Sequence, residues 1–175
     1  YHREHYDSSM QTMPYVQSGV QITKIEVWVT NRINRVENTR NIIAFTDLGE
    51  TDTLNYEGNP TWNLQELPDN GANNLYSYLA QTGYVREFSS AVPGLSAVNT
   101  FPGPFEQSIH YEKVENARQL SEQEFTYNAQ LGFISLKSPL NQDEVLGVAY
   151  QYTYQGRTYQ VGEFSNDVPV QEGSK

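Results

Sequence analysis

The sequence predicts a mostly β protein, an antiparallel β-sandwich with one short helix and long loops. Three observations carry that expectation. Thirteen Tyr stand among 175 residues together with many Thr, Val, Asn and Gly, a mix that favours pleated strands and turns over helices. Several segments alternate apolar and polar residues with the period of two that a half-buried strand requires. Clusters of Gly, Pro and Asn separate those segments, and one stretch alone repeats its apolar residues convincingly at helical spacing.

Taken in order, residues 1–18 (YHREHYDSSMQTMPYVQS) show no period and few aliphatics, and they read as a linker or an arm that packs elsewhere. The sandwich domain is assigned to 19–167, with a subdivision near 50–105 left open, and 168–175 reads as a tail. Residues 21–30 (QITKIEVWVT) form the first strong strand, β-branched and alternating, with Ile25, Val27 and Val29 on one side and Lys24, Glu26 and Trp28 on the other. Residues 31–41 (NRINRVENTRN) are a polar connection. Residues 42–48 (IIAFTDL) are apolar on both faces, as suits a strand buried between layers.

From 49 to 74 the breakers Gly58-Asn59-Pro60 and Pro68-Asp69-Asn70-Gly71 predict a long loop. The helix is expected at 75–81, where Leu75, Tyr78 and Leu79 share a face, Asn73 or Asn74 can cap the start and Gly83 the end. Residues 84–88 read as a short strand. Residues 91–105 (AVPGLSAVNTFPGPF) read as loop because of their Pro and Gly. Extended character resumes at 109–114, and Ser121-Glu122-Gln123-Glu124 has the spacing of a capping box, predicting a helical turn before a strand at 125–127. A strand at 131–136 and a turn at Ser138-Pro139-Leu140-Asn141 follow.

The clearest local signal is the run 145–164. Two extended arms, LGVAYQYTY and RTYQVGEF, flank Gln155-Gly156, and a two-residue loop ending in Gly is a hairpin signal because the turn needs positive φ. With Tyr154 opposite Arg157, Tyr152 faces Tyr159 and Tyr150 faces Val161 on one side. Thr153 then faces Thr158, and Gln151 faces Gln160, on the other. One face is aromatic and asks for a covering layer, since a lone hairpin is marginal in water.

Composition excludes several functional classes. Hydrophobic residues make up 37%, charged residues 18% and aromatics 13%, too aromatic for a disordered chain and too polar for a helical membrane span. A formal net charge of −10 argues against nucleic acid and anionic lipid as partners, because both need clustered Lys and Arg. With no cysteine, disulfides and thiolate metal sites are ruled out, while the compartment stays open. The chain starts at Tyr1 without a signal-peptide pattern, which suggests a piece of something longer. Alternating Tyr-rich strands also resemble outer-membrane barrels, yet Arg157 and Glu163 fall on the aromatic face and the other segments are short, which favours a soluble domain.

No catalytic constellation emerges. There is no Gly-x-Ser-x-Gly, phosphate-cradling loop or helical metalloprotease motif, and no carboxylate pair stands above the others as a glycosidase would need. Hence no enzyme and no cofactor is expected. His2 and His5, with Glu4 and Asp7, could ligate a metal but lie in the N-terminal arm; His110 stands alone on a presumed strand. Asp47, Glu50 and Asp52 gather carboxylates at a strand end, where a weak calcium site is conceivable against a bland reading as a solvated acidic loop. The candidate binding residues are the loop aromatics Tyr56, Trp62, Phe101 and Phe105, whose rings can stack on sugar, anchor a protein partner, or plug the core beneath a loop.

Two stretches go beyond general pattern. ITKIEVWVTNR with RNIIAFTDLGE, and ENARQLSEQEFTYNAQLGFISLKSPLNQDEVLGVAYQYTYQGRTYQVGEFSND, resemble the SprA (Sov) family of cell-surface proteins in the Bacteroidetes. Residues 1–18 and the stretch between RNIIAFTDLGE and residue 103 carry none of this likeness. The family consists of very large outer-membrane proteins that form the translocon of the type IX secretion system and support gliding motility. The resemblance implies a non-catalytic soluble insertion of such a barrel, placed in the cell envelope at the outer membrane. It also implies protein partners: secreted cargo, other translocon subunits, or the remainder of the same barrel protein. The alternative from the residues alone is a carbohydrate-binding β-sandwich module of a cell-surface protein.

Overall fold

The computed structural model describes residues 2–11, 13–33, 36–46, 87–97 and 105–167, with side chains of the first helix from Tyr6 onward. The chain is mostly β and antiparallel, as the sequence predicts. In order the elements are α1 (His2–Met10), β1 (Val20–Val29), β2 (Thr39–Phe45), α2 (Ala91–Ser96), β3 (Tyr111–Gln119), β4 (Phe125–Asn128), β5 (Phe133–Leu136), β6 (Leu146–Tyr154) and β7 (Arg157–Val161). They build a five-stranded sheet of order β2-β3-β1-β6-β7 and a two-stranded ribbon, β4-β5.

The hairpin β6–β7 has the register read from the sequence, with Tyr154 opposite Arg157, Tyr152 opposite Tyr159 and Tyr150 opposite Val161. Its turn residues Gln155 and Gly156 have φ of 48° and 77°, the two positive values that match the right-handed twist of the arms. Tyr152 stacks on Tyr159 at 5.1 Å, and these two with Val20 form a core cluster that Ile22, Tyr150, Tyr154 and Val161 extend.

β1 is the central strand, and its residues solve a parity problem. Val20 and Ile22 are even-numbered whereas Ile25, Val27 and Val29 are odd, so a regular strand would split them between two faces. A bulge at Thr23 inserts one extra residue between Ile22, opposite Tyr152, and Lys24, opposite Gln151. All five aliphatics then share the face of Tyr150, Tyr152 and Tyr154. β3 has the same device: its register with β2 shifts between Arg40, opposite Ala117, and Ile42, opposite Val114. Asn116 at φ 50° gives its N–H to Asn41 Oδ1 at 2.9 Å, and Val114 and Ala117, three apart, both enter the Trp28 cluster.

β1 meets β3 at one end, through Trp28 opposite Gln119 and Val29 opposite Arg118. Beyond that corner β2 and β3 fold over the sheet. Ile42 and Ala44 of β2 stand above Gly147 of β6, so close that a Cβ there would lie 3.1 Å from Ile42 Cδ1. Gly147 is therefore a close-approach position, where the missing side chain lets β2 pack down. At the other end of β1, Ile22 donates its N–H to Ala129 O of the ribbon's loop at 2.8 Å.

The chain after β7 returns across the sheet as a strap. Phe164 is 1% exposed, with Lys24 Nζ 3.7 Å from its ring centre. Ser165 donates its N–H and hydroxyl to the two oxygens of buried Glu26 at 2.9 and 2.8 Å, and its carbonyl accepts from Arg40 Nη2 at 2.8 Å. A buried carboxylate is costly unless it is hydrogen-bonded, and here both oxygens are.

Several expectations are corrected. Residues 1–18 contain a helix, α1, whose buried Ser9 accepts the N–H of Gln17 at its carbonyl. The loop read at 91–105 contains α2: Pro93 falls in the first turn, where its missing N–H would have had no partner, and Ala91 and Leu95 are fully buried. β2 starts earlier than expected, at Thr39, and lies at the end of the strand order with intermediate burial throughout, while residues 47–48 of the predicted strand lie outside the described residues. Residues 121–124 make a turn instead of a helical turn, with one arm of the box present: Glu124 Oε2 accepts the Ser121 N–H, while the Glu124 N–H goes to the Ser121 carbonyl. The helix predicted at 75–81 and the loop at 49–74 lie outside the described residues.

Candidate functional site

Of the four candidate aromatics, Phe105 is described, and it is a core residue. It is 1% exposed, edge-on to Phe45 and His110 at 5.9 Å each, and tied to α2 by its N–H to Leu95 O at 3.2 Å. No face of that ring is offered to sugar. Tyr56, Trp62 and Phe101 lie outside the described residues, as do Asp47, Glu50 and Asp52 and the side chains of His2, Glu4 and His5. Asp7 is exposed on α1, and among the described residues no three acidic or His groups could hold a metal ion.

His110 serves the fold. Its Nδ1 accepts the N–H of Glu106 at 2.9 Å, and its carbonyl takes the N–H and hydroxyl of Thr46 at 3.0 and 3.1 Å. Beside it Tyr111 is buried against Phe45, its hydroxyl without a hydrogen-bond partner. Burial, reinforced by the charge of Glu112, pushes that phenol above its ordinary value.

What the sequence did not single out is one end of the sheet, where three loops brace one another. They are the β1–β2 loop, the β3–β4 turn and the β5–β6 loop. Thr30 and Val145 exchange two bonds: Thr30 N–H to Val145 O at 3.2 Å, and Val145 N–H to Thr30 Oγ1 at 3.0 Å. Leu120 donates to Val27 O at 2.8 Å and Lys137 to Glu124 O at 3.0 Å. Arg32 pairs with Asp143 and approaches Glu144 at 3.8 Å, and Arg118 holds Glu124 at 2.7 Å.

Two carboxylates close these loops in the same way. Glu124 Oε2 accepts the N–H and hydroxyl of Ser121 at 3.0 and 3.1 Å, while Glu144 Oε2 accepts the N–H and side-chain amide of Asn141 at 2.7 and 2.9 Å. Partial burial raises the Glu124 carboxyl, but the Ser121 bonds and the Arg118 guanidinium outweigh it and leave it below its ordinary value. Glu144 is lowered chiefly by the Asn141 N–H, with Arg32 and Arg118 assisting. Asp167 repeats the pattern on the strap, lowered by the Phe164 N–H and the Gln160 amide.

On this braced platform aliphatic side chains are displayed: Val36 is 89% exposed, Ile33 59% and Leu140 39%. Beside Val36 a cleft of about 640 Å³ runs between Glu37, Arg118, Leu120 and Glu122. Among the described residues these aliphatics stand beside the charged groups Arg32, Glu37, Arg118 and Glu122. The signal for the bracing was in the sequence, since Asn141-x-x-Glu144 repeats the Ser121-x-x-Glu124 spacing. Ile33 and Val36 were hidden inside a segment that reads as a polar connection.

Among the described residues no helix is long and apolar enough to cross a membrane. Compared with known proteins, the chain matches no family model, and no curated protein matches it.

Proposed function

We propose that this chain is a non-catalytic domain of a very large outer-membrane translocon of the SprA (Sov) kind. In this reading it acts as a scaffold or protein-interaction module for secreted cargo, accessory subunits or the rest of the same protein. The observation that supports the interaction role is the exposure of Ile33, Val36 and Leu140 on two loops that meet through the Thr30–Val145 bonds and the Arg32–Asp143 pair. The translocon assignment rests on the resemblance of ITKIEVWVTNR, RNIIAFTDLGE and the 115–167 stretch. In the fold, the 115–167 stretch supplies the end of β3, all of β4 to β7 and the strap.

The test uses the bacterium that encodes the chain. An epitope goes into the Gln155-Gly156 turn, where a side chain added at Gly156 meets no atom within 4 Å. A photo-crosslinking residue replaces Val36 in one strain and Thr158, on the far hairpin, in another. The expected result is a tagged polypeptide many times longer than 175 residues in the outer-membrane fraction, with discrete protein adducts from Val36 and none from Thr158. A short soluble tagged polypeptide would refute the translocon assignment, and equal adducts from both positions would refute the loop end as the contact face.

A further inference from the structure

We draw no further inference here: the strongest candidate outside the site already described, the edge of the five-stranded sheet at β7 where Thr158 and Gln160 end the strand order, carries nothing because nothing in the structure shows what strand would cover it.

Discussion

Removing the single residue Thr23 tests how the central strand reconciles its sequence with two faces. Without it the strand reads Val-Gln-Ile-Lys-Ile-Glu-Val-Trp-Val, a strict alternation in which Val20, Ile22, Ile25, Val27 and Val29 share one face with no bulge. The side-chain bonds lost are the exposed ones of the Thr23 hydroxyl, which donates to Gln151 O at 3.3 Å and Gln151 Oε1 at 3.1 Å. Such bonds are worth about 1 kcal/mol or less in net stability. Removing Gln21 instead shortens the strand equally but keeps the parity conflict. Either Val20, 9% exposed and part of the tyrosine cluster, or Ile22 must then turn to the opposite face. Turning out one such side chain costs about 1.5–3 kcal/mol. Urea unfolding followed by far-UV circular dichroism separates the two. At a slope of roughly 1–3 kcal/mol per molar urea, the Gln21 deletion lowers the midpoint by about 1 M, and the Thr23 deletion by a fraction of that. Equal losses for the two deletions would refute the parity account of the bulge.

Three further outcomes are expected. Tyr152→Ala removes a ring that is 8% exposed and stacked on Tyr159, so it should cost about 3–5 kcal/mol and abolish cooperative unfolding in a domain of ordinary stability; an unchanged urea midpoint would show that the hairpin's aromatic face is not core. Tyr111→Phe deletes a buried hydroxyl that has no partner, so stability should hold or rise by about 1 kcal/mol, and a thermal-melt loss larger than that would mean the hydroxyl is bonded in solution. Glu124, Glu144 and Asp167 all have folded-state values below their ordinary ones, so their stabilisation is complete above about pH 4.5 and is lost as pH falls through the folded values. Urea midpoints measured between pH 7 and 3 should therefore drop on the acid side, and Glu124→Gln should flatten that drop; an identical acid slope in the variant would count against the Ser121 and Arg118 bonds.

Local chemistry made much of this protein legible. The register of β6 and β7 follows from Gln155-Gly156 alone, because a two-residue turn fixes which residues oppose one another and the alternation then sorts Tyr150, Tyr152 and Tyr159 onto one face. The same holds for the strand character of β1 and for the Ser121–Glu124 box, each a property of a few neighbouring residues. α2 was missed because Pro93 and Gly94 weigh against a helix in any window, and the burial of Ala91 and Leu95, which no local window shows, offsets them. The candidate site was harder still. Ile33 and Val36 gain meaning only when Arg32 reaches Asp143 from a loop more than a hundred residues away in the chain.

By itself, then, the sequence determined the β character, the hairpin with its register and the absence of a familiar catalytic motif, all set by periodicity and residue type over short spans. Tertiary structure decided the rest: the bulges at Thr23 and Asn116, the fold-over that seats Ile42 on Gly147, and the strap that satisfies Glu26 through Ser165. These depend on pairings between distant segments, whose gain comes from packing and buried hydrogen bonds that no local window contains.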